Sequence, residues 1–406
     1  MLTRAEARAR DAADPLAQFR ERFMLPEGVI YLDGNSLGPL SRDGLAAMQH
    51  VTAHEWGEWL IGGWNRGWYD APERIGGQIA RLIGAEADEV IAADSTSANL
   101  FKLLVAALRS LPEDKRTILS ESGNFPSDLH VAEGAVQCVP GARLEVVPRD
   151  ALADALGAPV GCLLLTHVHY KTAARYDMAA WTARARAAGA LMLWDLSHSI
   201  GAVPIDLGAA GADLAVGCGY KFLNGGPGAP AWLYVAQRHQ AALTNPVSGW
   251  MGHAAPFDFT DDYAPAPGMR RWLAGTPPVL GLAALEAGVA LMLEADRDAI
   301  AAKSAALFDA MAAIGDALGL ECISPRDAAA RGSHIAFRHP HTYALCQALI
   351  ARGVIGDFRD PDILRFGLTP LYLRHEDIVD AGEILTDLLA GGGWRDPIFA
   401  QRRAVT

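Results

Sequence analysis

"GALMLWDLSHSIGAVPIDLGAAGADLAVGCGYKFLNGGPGAPAWLYV", residues 189–235, decides the fold. It holds three short apolar runs, GALMLWDL, ADLAVGC and APAWLYV, set apart by connections rich in glycine and proline. The runs are apolar throughout rather than alternating, as strands covered on both faces are. The same rhythm extends upstream. DEVIAAD (88–94), RTILSES (116–122), ARLEVVP (142–148) and GCLLLTHV (161–168) read as further strands. Helical patterns separate them, the clearest being STSANLFKLLVAALRSL (95–111). Strands alternating with helices predict an α/β domain with a mostly parallel, seven-stranded sheet. In such a sheet, ligands bind outside the carboxyl ends of the strands.

From residue 277 an Ala/Leu-rich pattern predicts two helices, the first linking two domains. Beyond it the chain reads strand (SHIAFRH), helix (TYALCQALIARG), strand (VIGDFR), strand (ILRFGLT), helix (DIVDAGEILTDLL), which makes a small α+β domain. The expected division is a large ligand-binding domain over 51–276 and a small domain from 1–50 and 277–406. The first 26 residues read as one amphipathic helix of mixed charge, with no apolar signal-peptide core.

Composition narrows the function. With 406 residues, 51% hydrophobic content and 20% charged content, the chain suits a well-packed globular enzyme. A formal charge of −12 and the lack of a basic cluster argue against nucleic acid as a partner. No run is long and apolar enough for a membrane span. Five scattered cysteines suggest a reducing compartment, so a cytoplasmic location is expected.

Lys221 is the first chemical candidate. The chain has only five lysines (102, 115, 171, 221 and 303), and Lys221 alone follows an apolar strand into a glycine-rich run. Burial drives an ammonium towards the neutral amine, which forms Schiff bases with carbonyls. Asp195, with His198 close behind, ends another strand and would be desolvated there unless it met a cation such as a protonated pyridine nitrogen. Ser95, Thr96 and Ser97 stand between strand and helix, where hydroxyls and free N–H groups bind anions or simply cap the helix. Phe125 and Asp128, in GNFPSDLH, offer an aromatic face and a carboxylate at the next helix start. Rival chemistries fit less well. GCGYKF has Phe222 where a dinucleotide fingerprint needs its third glycine, and no Gly-Lys pair supports a P-loop. The His167/His169 pair lacks a third metal ligand, so no metal is expected. An anion cup, a stacking aromatic, a buried Asp and then a Lys point together to pyridoxal 5'-phosphate.

Five motifs carry a resemblance: YLDGNSLGPL (31–40), FPSD (125–128), WDLSHSIGAVPIDL (194–207), CGYKFLNGGPGAPAWLYV (218–235) and LRFGLTPLY (364–372). With them the chain resembles the kynureninases, in the fold-type-I, aspartate aminotransferase-like group of pyridoxal-phosphate enzymes. The resemblance implies hydrolysis of L-kynurenine to anthranilate and L-alanine, in tryptophan catabolism. It implies that Lys221 links to the cofactor and moves protons, that Asp195 pairs with the pyridine nitrogen, and that Tyr220 donates a proton. Phe125, in the Phe125-Pro126-Ser127-Asp128 motif, would stack on the ring, with His198, Asp128 and Thr166 beside it. Thr96, Ser97, Tyr220 and Trp250 would bind phosphate, and Thr276 would reach it across a homodimer interface. Arg365 would clamp the substrate carboxylate and Asn35 would help fix that end. Trp64 and the Gly275-Thr276 pair would favour plain kynurenine over 3-hydroxykynurenine. A desulfurase on the same fold would need a mobile cysteine, for which Cys322 is the nearest candidate. A non-catalytic cofactor binder fits poorly with both Lys221 and Asp195 present.

Overall fold

A computed structural model describes residues 1–402. Its centre is one sheet of seven strands: β1 (Val90–Ala92), β2 (Thr117–Glu121), β3 (Arg143–Val147), β4 (Val160–Thr166), β5 (Leu191–Asp195), β6 (Leu214–Gly217) and β7 (Trp232–Val235). The spatial order is β1-β7-β6-β5-β4-β2-β3, and β7 is antiparallel to both β1 and β6 while all the other pairings are parallel. Six of the seven predicted apolar runs form strands whose residues are almost all buried. The exception, β3, is the half-exposed edge. Because β2, β4, β5 and β6 are parallel, Glu121, Thr166, Asp195 and Gly217 all finish at one edge of the sheet. Thr166 and Asp195 are direct cross-strand neighbours there.

A four-stranded antiparallel sheet follows later in the chain: β8 (Glu321–Cys322), β9 (His334–Arg338), β10 (Asp357–Arg359) and β11 (Ile363–Gly367), ordered β10-β11-β9-β8. The Ala/Leu-rich stretch forms two helices, Val279–Glu294 and Arg297–Ala317. The N-terminus reaches this part of the chain: Ile30–Tyr31 pairs in parallel with Val354–Ile355, and Arg4 forms ion pairs with Glu376 and Asp380. No helix among the described residues is long and apolar enough to cross a membrane.

Two expectations are corrected. The N-terminal helix covers only Arg4–Ala12, and a separate 3-10 turn covers Ala17–Arg22. Pro15 causes the break, since the residue before a proline is pushed out of the helical region. VIGDFR is two strands in two sheets, not one. The chain turns at Gly356 beneath Phe366, where any Cβ would come within 2.7 Å of the ring.

Burial alone does not single out Lys221. Lys102, Lys221 and Lys303 are all buried. Lys102 pairs with Asp94 and donates to the Trp272 carbonyl at 2.7 Å, and Lys303 meets Asp14 at 2.5 Å. Lys221 has no carboxylate partner among the described residues; its amine lies 2.9 Å from His198 Nε2. Among the described residues Lys221 is the buried lysine without a salt bridge.

Candidate active site

The site forms where the loops leave the carboxyl edge of the large sheet. Lys221 sits four residues past β6, and its loop is held from the other side by the N-terminal segment. Gly38 N–H donates to the Tyr220 carbonyl at 2.8 Å. A Cβ on Gly38 would lie 2.5 Å from the Lys221 carbonyl, so only glycine permits this approach. Three glycines flanking the lysine meet the chain itself. Gly217 packs against Trp232, Gly219 against the Pro230 carbonyl, and Gly225 against the Gly219 carbonyl. They let the chain fold tightly upon itself.

Asp195, buried at the end of β5, accepts from the Ser197 N–H at 2.7 Å. Asp128 lies beside it, and its Oδ2 accepts from Thr166 Oγ1 at 3.2 Å. Burial, reinforced by Asp195, pushes the Asp128 carboxyl well above the usual range. Two enclosed carboxyls side by side suit a cationic ring nitrogen. Asn124, which sequence reasoning passed over, ties this corner together. It accepts from the Phe125 N–H at 2.8 Å and from Thr166, and donates to Ser120 Oγ at 3.1 Å.

Two helix starts converge on the same mouth. Ser95 caps Thr96–Ser110, accepting from Ala98 N–H at 3.3 Å, and Pro126–Gln137 begins opposite. Ser97 and Ser127 bring their hydroxyls to 3.2 Å, while the buried Thr96 hydroxyl has no protein partner among the described residues. Two positive helix ends lined with hydroxyls suit a phosphate. Phe125 stays partly open to solvent, 5.8 Å from the Lys221 amine, and meets Tyr170 edge-on at 5.2 Å. Burial pushes the Tyr220 phenol upward, so it keeps its proton. Burial and the charge of Lys221 push His198 well down, so it is neutral. These residues fit pyridoxal phosphate: an amine, an aromatic face, a carboxylate pair and an anion cup around one mouth.

Arg365, on β11, is fully enclosed. Its Nε donates to Asp357 at 2.8 Å, and its other nitrogens reach Asp357, Ser36 (3.0 Å) and the Tyr170 carbonyl. Arg359 also pairs with Asp357, at 2.8 Å. Asp357, Ser36 and Tyr170 look ordinary in the sequence, because their role exists only once distant segments meet. Asp33 borders this cluster with one carboxyl oxygen enclosed and unpartnered. Burial and Asp357 raise its carboxyl to about 7, from 3.8 in the open chain. The folded state then holds a proton that the unfolded chain has released. Stability therefore falls as pH rises from about 4 to about 7, and levels off above. Asp33→Asn is expected to flatten that slope, as urea unfolding at pH 5 and pH 8 measures.

Trp64, Trp250, Gly275 and Thr276 stand apart. No hydrogen bond or ring contact joins them to Lys221, Asp195 or Arg365 among the described residues. Trp64 is half-buried against Trp68, 5.9 Å away, while Trp250, Gly275 and Thr276 are exposed. His167 and His169 spend their ring nitrogens on Ser199 (3.0 Å) and the Gly123 carbonyl (2.8 Å).

Residues 300–385 match the family model described as the kynureninase C-terminal domain. A Burkholderia mallei protein named kynureninase is 50% identical over the full length of both chains. The chain belongs to the kynureninase family. Among solved structures, a cysteine desulfurase from Thermococcus onnurineus superposes with a TM-score of 0.78 at 17% identity, covering 92% of this chain and 98% of that one. A second solved structure, a C-DES mutant with glycine covalently linked to its PLP cofactor, gives 0.76 at 17% identity, over 90% and 98%. The fold is thus the fold-type-I α/β architecture, and kynureninase family members are enzymes acting on a small molecule.

Proposed function

We propose that this chain is a pyridoxal-phosphate-dependent hydrolase that cleaves L-kynurenine to anthranilate and L-alanine, a step of tryptophan catabolism by the kynurenine route. The observation that carries the reading is Lys221, the buried lysine without a carboxylate partner among the described residues, beside Phe125 and the two helix starts. When bound, pyridoxal phosphate supplies an electron sink for the substrate's α-carbon. Lys221 Nζ holds the cofactor and then carries the proton from Cα. Asp195, backed by Asp128, keeps a proton on the pyridine nitrogen. Thr96, Ser97, Tyr220, Trp250 and the Pro126-Ser127 helix start bind the phosphate, and Phe125 covers the ring, with Thr166 and His198 beside it. Arg365 and Asn35 hold the substrate's carboxylate end. Water adds at the γ-carbonyl, the Cβ–Cγ bond breaks, and the Tyr220 hydroxyl supplies the proton that Cβ needs.

The active form is proposed to be a homodimer in which Thr276 and Gly275 of one copy complete the other's site. Their exposure in the single chain, beside exposed Trp250, Phe257 and Phe259, supports this. With Trp64, these apolar and small residues favour plain kynurenine. The desulfurase alternative is weaker. Cys322 is fixed in β8, its Sγ 3.7 Å from the Ser324 carbonyl, and burial pushes the thiol away from the reactive thiolate.

The test is holoenzyme with L-kynurenine or 3-hydroxykynurenine, following anthranilate fluorescence, L-alanine and loss of substrate. Anthranilate and alanine in equal amounts, with the higher kcat/KM on kynurenine, are expected. A holoenzyme that forms no anthranilate overturns the reading.

A further inference from the structure

His334 opens β9 and is fully buried, yet neither ring nitrogen has a partner among the described residues. Buried polar groups without partners are rare in folded proteins. The register says what lies beside it. His334 faces Gly367 across the antiparallel β9–β11 pairing, and Ala336 faces Arg365. Residues two apart share a sheet face, so His334 and Arg365 rise from the same face as diagonal neighbours. Gly367 leaves a gap between them, into which Asn35 reaches: a Cβ on Gly367 would come within 2.1 Å of Asn35 Oδ1. Asn35 is equally buried, and both its polar atoms also lack partners. On the other side, the His334 ring lies 5.6 Å from that of His198, whose Nε2 touches the Lys221 amine. Burial and the charges of Arg365, His169, Lys221 and Arg359 push His334 well below its usual range. The ring is neutral, with one N–H that needs an acceptor.

We propose that His334 is a substrate-binding residue whose N–H donates to the α-carboxylate of the bound amino acid, beside Arg365. This rests on the reading of the site as one for an α-amino acid attached through Lys221. The carboxylate is the acceptor-only group of such a substrate. The His334 ring neighbours His198, which touches the Lys221 amine, and it shares a sheet face with Arg365, the two groups that such a substrate must meet. A neutral donor adds a directional hydrogen bond without another buried charge. Together with Asn35 it would select ligands that keep a free α-carboxylate.

L-Alanine is the probe, because it retains the carboxylate and lacks the γ-carbonyl and the aryl ring. Its Kd is read from the visible absorbance of the holoenzyme, for the wild type, His334→Leu and His334→Gln. We expect His334→Leu to weaken alanine binding about tenfold or more. KM for kynurenine should rise by a similar factor and kcat should change less. His334→Gln keeps an N–H donor and should recover part of the affinity. An unchanged alanine Kd in His334→Leu overturns the proposal. So does a Gln variant no better than Leu, since the ring would then only fill space. Loss of the cofactor absorbance in both variants also overturns it, because His334 would then act through the cofactor. A wild type that binds alanine but forms no anthranilate would instead overturn the kynurenine reading, with the His334 result still readable.

Discussion

Lys221→Ala is expected to lower kynurenine turnover about 10⁴-fold or more while the protein stays folded. Removing the residue that both attaches the cofactor and carries the Cα proton takes away a nucleophile and a general base together. The fold should tolerate the loss. Among the described residues Lys221 has no carboxylate partner, so its removal breaks no salt bridge. The visible band of the lysine-linked cofactor should vanish, while the urea midpoint moves little. The other buried lysines predict the opposite pattern. Lys102→Ala and Lys303→Ala leave Asp94 and Asp14 without their lysine partners, Asp14 keeping the Leu16 N–H, and should cost stability, with the cofactor band retained.

Arg365→Ala is expected to damage binding and stability at once. A charge-assisted contact to the substrate carboxylate contributes roughly 1.5–3 kcal/mol, so KM should rise by about one to two orders of magnitude. The same change removes the principal partner of Asp357, which is almost wholly enclosed. Stranding one half of a buried ion pair costs about 3–5 kcal/mol in general. Arg359, still 2.8 Å from Asp357, should reduce that cost. A double variant separates the two effects. Arg365→Ala with Asp357→Asn should regain stability without regaining KM. If KM recovers as well, the carboxylate is bound by another group.

The large sheet was legible because six of its seven strands are almost wholly buried and read as near-continuous apolar runs, the edge strand β3 being the exception. Lys221, Asp195 and the serine cluster were legible for a related reason. Each breaks an apolar pattern at a strand end, where a ligand would bind. What the sequence hid is long-range. His334 reads as one more residue of a strand, and Asp357 as one more polar position between Gly356 and Phe358. Their roles arise only when β9, β10 and β11 pair and bring them beside Arg365. Scarcity and an apolar context pointed to Lys221, but Lys102 and Lys303 prove at least as enclosed, and the absence of a carboxylate partner among the described residues is what distinguishes Lys221. Gly217, Gly219 and Gly225, around it, serve the chain's own packing, which local sequence cannot tell apart from room for a ligand.

The central claim is that Lys221 is the lysine that holds pyridoxal phosphate. Borohydride reduction of the holoenzyme, followed by proteolysis and mass spectrometry of the peptides, tests it most directly. The cofactor's mass is expected on the peptide containing Lys221, at close to one per chain, and on none that contains Lys102, Lys115, Lys171 or Lys303. Stoichiometric label on any of those four, with Lys221 unmodified, would contradict it.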